Sequence, residues 1–211
     1  TVNHKPTASI SPLTAAGCEP MSVSFTNNSI AATTHLWVFD DGDSSTNASV
    51  LPHVYPNATN DTLFFHPTLY VGTDEGCFDT VSAQIDVYRK VNASFSVPQV
   101  GCSPFNAVFT DLSLNANTYA WSFGDGSNAS TSNPIHQYLN TGVMPQNFNA
   151  QLSVQSIEGC SSDTTIPITV NHKPSAQIAP LNSSGCEPLL VSFTNASTAA
   201  TNWQWVFDDG D

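Results

Sequence analysis

The chain has 211 residues and a mass of 22.5 kDa, with 4 basic residues against 17 acidic ones and a net charge of −13. That balance excludes a nucleic-acid binder, which needs clustered Lys and Arg to neutralise phosphates, and a peripheral binder of anionic membranes. No apolar run approaches the roughly 18 residues of a membrane-spanning helix, and a hydrophobic content of 40% with 12 Phe, 5 Tyr and 4 Trp argues against disorder.

The chain opens Thr1-Val2-Asn3-His4-Lys5-Pro6, without the charged start and apolar stretch of a signal peptide. Met21–Phe25 alternates polar and apolar residues, as a half-buried strand does. His35-Leu36-Trp37-Val38-Phe39 puts Trp and Phe two apart, on one strand face. Asp41-Gly42 follows at once and predicts a hairpin, because Gly tolerates the positive φ of a type I′ turn. Val81, Ala83, Ile85 and Val87 alternate again as a last strand. No segment keeps a period of 3.6 for three turns, so the expectation is all-β.

The same signals then recur. Cys18, Cys102 and Cys186 are spaced by 84, as are Trp37, Trp121 and Trp205, and Phe25, Phe109 and Phe193. Residues 1–43 match residues 169–211 at 30 of 43 positions, but match the middle repeat at only 12. The array therefore reads A-B-A, with a true period of 168. The expected domains are 1–88 (type A), 89–171 (type B) and 172–211, the N-terminal half of a further type A domain. With strands at this spacing, each domain is expected to be an immunoglobulin-like β-sandwich, stacked head to tail in a rod that is a window onto a longer array.

The residues that repeat also carry a family resemblance. Gly101-Cys102-Ser103-Pro104, Phe109-Thr110, Trp121-Ser122-Phe123-Gly124-Asp125-Gly126, Asn133-Pro134-Ile135-His136-Gln137-Tyr138 and Gly159-Cys160-Ser161-Ser162-Asp163-Thr164 resemble the PKD repeat. The first repeat departs at Phe39-Asp40-Asp41-Gly42 and is one residue shorter at Leu51-Pro52-His53-Val54-Tyr55. The paired cysteines are similar to those of repeats in large Bacteroidota surface and secreted proteins, many exported by the type IX system. The resemblance implies an extracellular, non-catalytic spacer or interaction module.

No Gly-x-Ser-x-Gly, His-Glu-x-x-His or P-loop motif occurs, so no enzyme and no cofactor is expected. His53 and His136, each two before Tyr55 and Tyr138, are read as structural residues bonding a loop backbone. Asp40, Asp41 and Asp43, with Asp208, Asp209 and Asp211 in the third repeat, are weak Ca²⁺ candidates, since clustered oxygens suit that ion. The alternative is a hairpin turn whose Asp accepts backbone N–H bonds.

Eight sequons stand at Asn27, Asn47, Asn57, Asn60, Asn92, Asn128, Asn182 and Asn195. Thr62 and Thr80 follow Asp and precede an aliphatic residue, which resembles the O-glycan acceptor of Bacteroidota. A glycoprotein surface and a plain Ser/Thr/Asn-rich one both fit. The four basic residues, Lys5, Arg89, Lys90 and Lys173, all lie at repeat boundaries. They are expected to pair across the junctions with carboxylates such as Glu19, Asp43 or Glu158.

The cysteines admit two pairings. Spacing favours a pair within each repeat, Cys18 with Cys77 and Cys102 with Cys160, leaving Cys186 over. Sandwich topology instead puts the two cysteines of one repeat at opposite poles, too far apart for a bond. Head-to-tail stacking would then join Cys18 to Cys160, with Cys77 bonded upstream and Cys102 and Cys186 downstream. Free thiols are a third outcome.

The leading functional expectation is a structural segment of a long extracellular stalk or filament, used in adhesion, surface contact or gliding. Its partners would be copies of itself in a fibre or bundle, and surface glycans or other cells through parts outside this segment. A charge of −13 makes copies repel, so bundling would need apolar or Ser/Thr/Asn contacts, glycans or divalent cations. The alternatives are a polysaccharide-binding module, with Trp203 and Trp205 as its platform, and a spacer attached to a secreted hydrolase.

Overall fold

A computed structural model describes residues 4–48 and 51–208. The first repeat forms β1 (Ile10–Ser11), β2 (Thr14–Cys18), β3 (Met21–Asn27), β4 (Thr34–Val38), β5 (Ser44–Ser45), β6 (Leu51–Tyr55), β7 (Leu63–Phe65), β8 (Thr68–Gly72), β9 (Phe78–Ser82) and β10 (Gln84–Tyr88). The second forms β11 (Phe95–Ser96), β12 (Val100–Cys102), β13 (Phe105–Val108), β14 (Thr110–Asp111), β15 (Thr118–Ser122), β16 (Asn128–Ala129), β17 (Ile135–Tyr138), β18 (Gln146–Gln155) and β19 (Ser161–Asn171). The third contributes β20 (Ile178–Ala179) and β21 (Thr194–Asn195). The described residues contain no helix, so the fold is all-β, built as immunoglobulin-like sandwiches.

In the first repeat a four-stranded sheet runs β5-β4-β8-β9. The other layer is made of two short sheets, β1-β3-β6 and β2-β10-β7. The chain leaves β9, turns at Ala83 and enters β10, so one run of alternating residues serves both layers. β10 pairs parallel with β2, placing Cys18 opposite Tyr88. Each strand turns its apolar alternate inward, and Phe25, Trp37, Tyr55, Leu69, Ile85 and Val87 are all 0% exposed. At about 1.5–3 kcal/mol for each such side chain, this packing supplies most of the driving force for the sandwich.

The second repeat builds the same pattern. Its main sheet is β12-β19-β18-β15-β16, with β12 parallel to β19 and Cys102 opposite Asn171. Phe109, Trp121, Tyr138, Leu152, Ile168 and Val170 are buried in the corresponding places. In the third repeat, Ile178 faces Asn195 as Ile10 faces Asn27. Ala31, Asn115 and Ala199 are left-handed at equivalent positions, with φ of 59°, 59° and 58°.

The chain folds as two compact units whose limits differ from the repeat limits. The first contains residues up to Ala93 together with Ser113–Thr118 and Val154–Ser162. The second contains Ser94–Leu112, Tyr119–Ser153 and the residues from Asp163 onward.

Candidate functional site

Two side-chain constellations recur at the repeat period, and both grow out of the motifs. In the first repeat the Asp-Gly turn after β4 meets β6. His53 Nε2 lies 2.6 Å from Asp41 Oδ2. The imidazole is stacked on Phe39, with centroids 4.0 Å apart and planes at 5°, and Tyr55 packs against its edge at 4.7 Å. In the second repeat His136 Nε2 lies 2.7 Å from Asp125 Oδ2, stacked on Phe123 at 4.2 Å and edged by Tyr138 at 4.6 Å. The histidines are structural, as the sequence suggested, but their partner is the Asp side chain of the turn and not a loop backbone. Burial pushes the Asp41 carboxyl up, and the hydrogen bonds with His53 and the Asp43 N–H outweigh it and hold the group below its usual range.

The residue before this Asp differs between repeats. Gly124 has φ +82° and sits where an added Cβ would lie 2.7 Å from the Asn149 backbone. Asp40 takes the same left-handed place with φ 66°. Its carboxylate accepts the backbone N–H of His66, 26 residues along the chain, at 2.8 Å. Asp40 is therefore turned away from Asp41 and Asp43, and the expected calcium trio is not assembled.

Asp41, Asp43 and His53 do have ligand atoms within 4.8 Å of one another. Ca²⁺ takes about 6–8 oxygen ligands, and this group offers two carboxylates and a nitrogen already bonded to one of them. The residues do not fit that ion. In the second repeat Ser127 replaces Asp43, its hydroxyl bonded to Asp125 and 3.3 Å from His136 Nε2. Asp209 and Asp211 lie outside the described residues.

The second constellation holds the cysteines. Cys18 ends β2, and Cys160 closes a turn in which Ser156 N–H donates to the Cys160 carbonyl and Gly159 has φ +91°. The two are joined in a disulfide with Cα atoms 5.5 Å apart, within the first compact unit. Cys77 stands in the same kind of turn, with Thr73 N–H on its carbonyl and Gly76 at φ +84°.

Pairing within a repeat is overturned by geometry. Cys77 precedes Phe78 at the start of β9, whereas Cys18 is opposite Tyr88 at the end of β10. That extended run spans roughly 30 Å at about 3.3 Å per residue, and a disulfide needs Cα atoms within about 7 Å. Cys77, Cys102 and Cys186 carry no disulfide within the chain.

The basic residues are only partly as expected. Arg89 lies 3.6 Å from Glu158. A bond from Ser156 and the Glu158 backbone N–H, aided by Arg89, holds the Glu158 carboxyl below its usual range. Lys5 pairs at 2.9 Å with Asp79 of its own repeat and not with Glu19 or Asp43. Among the described residues, Lys90 and Lys173 have no carboxylate within 4 Å.

Of the glycan candidates, Asn47, Asn60, Asn92, Asn128, Asn182 and Thr80 are exposed, and Asn27, Asn195 and Thr62 are half-buried. Asn57 is fully buried and must be withdrawn. Its amide donates to the carbonyls of Asp61 and Val87, both at 2.8 Å, and its oxygen accepts the Thr59 N–H. Asn140 repeats the device, donating to Met144 and Val170 and accepting from Gly142. Sequence reasoning missed this pair; the signal was an Asn two residues after each His-x-Tyr.

Trp205 stacks on Phe207 with planes at 2° and packs on Phe193, repeating the arrangement of Trp37, Phe39 and Phe25. It holds the place of the core tryptophans Trp37 and Trp121, yet it is 36% exposed and lines a shallow pocket with Trp203. Trp203 takes the place of His35 and is 63% exposed.

Residues 93–170 match the family model described as PKD domain. No curated protein matches the chain. Among solved structures, the PKD1 domain of the Vibrio cholerae metalloprotease PrtV is 20% identical, covering 38% of this chain and 96% of that one, with a TM-score of 0.33. The PKD1 domain of Vibrio anguillarum Epp is 21% identical over 40% of this chain and 98% of its own, with a TM-score of 0.34. A Bacteroides ovatus protein of a mixed-linkage glucan utilization locus, SGBP-B, solved with a mixed-linkage heptasaccharide, is 14% identical over 80% of this chain and 48% of that one, with a TM-score of 0.30. PKD domains are typically extracellular and generally non-catalytic. Residues 93–170 are thus the part of the chain that is similar to a PKD domain.

Proposed function

We propose that this chain is a structural segment of a long extracellular stalk or filament of tandem PKD-type sandwiches. The observation that carries the reading is the Cys18–Cys160 bond, which ties the first cysteine of one repeat to the second cysteine of the next. A bond of that kind repeated along an array would pass tension from sandwich to sandwich through covalent links. Cys102 lies opposite Asn171 as Cys18 lies opposite Tyr88, and Cys77 shares the turn geometry of Cys160. In the reading, Cys102 and Cys186 bond to cysteines of later repeats and Cys77 to one of an earlier repeat. The A-B-A copying fits a rod lengthened by duplicating domain pairs, and a catalytic domain gains nothing from such copying. Adhesive, surface-contact or gliding roles would belong to a tip outside this segment, with type IX export and surface glycans as part of the same proposal.

The test is immunogold labelling of producing cells with antibodies against residues 89–171. Label in rows along thin appendages is expected. Label confined to a soluble secreted enzyme fraction would replace the stalk with the hydrolase-spacer reading.

A further inference from the structure

The stalk reading leaves Trp203-Gln204-Trp205 of the third repeat without a task. Residues 202–207 form no strand there, and Asn202, Trp203, Gln204 and Trp205 all line one shallow pocket of about 290 Å³, together with Asn195 and Ile178. Trp203 is 63% exposed and Trp205 36%, and Asn202 and Gln204 are exposed beside them. The Asn195 oxygen accepts the Ser197 N–H at 2.9 Å, which fixes a third amide at the pocket. No charged side chain lines it, in a chain of net charge −13.

The first repeat shows which of these residues the sandwich itself requires. Ala31-Ala32-Thr33 and Trp37-Val38-Phe39 recur unchanged as Ala199-Ala200-Thr201 and Trp205-Val206-Phe207. The three residues between them, Thr34-His35-Leu36, are exchanged for Asn202-Trp203-Gln204. The exchange is not needed for folding, because the first repeat closes its core with the other set. In that closed sandwich the same three positions also line a hollow, beside Tyr70 and Phe78 on the apolar outer face of the β5-β4-β8-β9 sheet. Register there sets Leu36 level with Tyr70 and Thr80. The three positions therefore reach the surface in a complete type A repeat, and the exchange equips them with an indole and two amides.

We propose that this pocket binds a neutral sugar residue of a glycan. The C–H face of a pyranose ring is flat and apolar, and an indole offers it a broad apolar surface. The ring hydroxyls need both donors and acceptors, and a side-chain amide supplies both from one group. Two indoles and three amides around one pocket combine these properties. A uronic or sulfated sugar finds no counter-charge in the lining, and the net charge of the chain repels it. A proline-rich peptide also docks on aromatic side chains, but it carries few polar groups for three amides to pair with. The volume lies at the small end of the roughly 300–1,000 Å³ of ligand sites, which suits one or two rings. Single sites are therefore weak, and they gain strength where the repeat recurs along an array that meets a polysaccharide. The site rests on the third repeat alone and is independent of the stalk reading.

Calorimetric titration and tryptophan fluorescence of the 211-residue chain test it, with cellohexaose, xylohexaose, mannohexaose and an oligogalacturonate as probes. At least one neutral probe is expected to bind with a dissociation constant of about 0.1–1 mM and to change the indole emission, while the oligogalacturonate does not. A variant combining Asn202→Thr, Trp203→His and Gln204→Leu carries the residues with which the first repeat folds. It is expected to weaken binding at least tenfold without changing the thermal midpoint, and Tyr70→Ser in the first repeat should leave binding unchanged. A second chain carries a copy of residues 44–88 after Asp211, which completes the third repeat as a type A sandwich, and it should still bind. Loss of binding in that chain would show that the sugar had occupied the inner face of an unclosed sandwich, and it overturns the proposal. So does the absence of binding by every neutral probe at about 10 mM, or binding that survives the triple variant. A proline-rich peptide that binds where no sugar does, and is lost with the triple variant, would assign the pocket to peptide instead.

Discussion

His136 Nε2 stands 2.7 Å from Asp125 Oδ2, and the same relation joins His53 and Asp41 in the preceding repeat at 2.6 Å. In each case the bond pins the hairpin turn after the tryptophan strand to the neighbouring strand, over a Phe ring that carries the imidazole.

The pair makes stability depend on acid. Burial raises the Asp125 carboxyl, but bonds from Ser127 and His136 outweigh it and leave the group below its usual range. A carboxyl whose folded value lies below its unfolded value of about 3.9 stabilises fully above that pH, and the gain is lost as pH falls through the folded value. Asp125→Asn is expected to cost about 1–2 kcal/mol at pH 6. The gap to wild type should shrink by pH 2.5. Urea unfolding at the two pH values measures this, and a gap that stays constant would remove the carboxylate from the account.

The disulfide closes a loop of 142 residues. Chain entropy alone puts its contribution near 5 kcal/mol, and measured values for native disulfides run at about 2–5 kcal/mol. The Cys18→Ser, Cys160→Ser double variant is expected to lose stability in that range. Peptide mapping without reductant should yield a Cys18–Cys160 peptide. Recovery of Cys18 linked to Cys77 would contradict the register that places Cys18 opposite Tyr88.

The fold was legible because its signals are periodic. Alternation around Trp37 and Trp121, the Asp-Gly turns and the 84-residue spacing all report strand faces and hairpins directly. The disulfide was legible only through topology, since Cys77 and the Tyr88 that faces Cys18 lie at opposite ends of the β9–β10 run. Asn57 was misread because a sequon is a three-residue pattern, while burial depends on strands thirty residues away such as the one carrying Val87. The apolar outer face was not legible at all. Leu36, Tyr70 and Phe78 come from three separate strands, and only register brings them side by side.

Asn140 is buried, and its amide donates to the carbonyls of Met144 and Val170. Asn140→Ala would leave both unpaired away from water, at about 1–3 kcal/mol each before relaxation. A loss of about 2–4 kcal/mol in chemical unfolding is expected. Asn57→Ala should behave alike. In a host that attaches N-linked glycans, mass spectrometry should find Asn57 unmodified in folded protein even where exposed Asn60 is occupied. A glycan on Asn57 in folded material would mean that the buried amide is not the state described.

The two buried tyrosines separate packing from hydrogen bonding. Tyr138 and Tyr55 are each 0% exposed and each packs against its histidine. Burial, with the nearby Asp125, pushes the Tyr138 phenol well above its usual range, and burial with Asp41 and Asp40 does the same to Tyr55. Both hydroxyls therefore stay neutral across the working pH range and can act only as hydrogen-bonding groups. Tyr138 Oη donates to the Phe123 carbonyl at 3.0 Å. Tyr55 Oη is buried with no partner. Tyr138→Phe removes a donor and strands a buried carbonyl, so it should cost about 1–2 kcal/mol. Tyr55→Phe removes a hydroxyl whose desolvation nothing offsets, so it should be neutral or stabilising by up to about 1 kcal/mol. Thermal unfolding of the two variants side by side gives the answer. Equal losses would mean that Tyr55 finds a partner in solution, through a bridging water or a shift of the Phe39 carbonyl toward it.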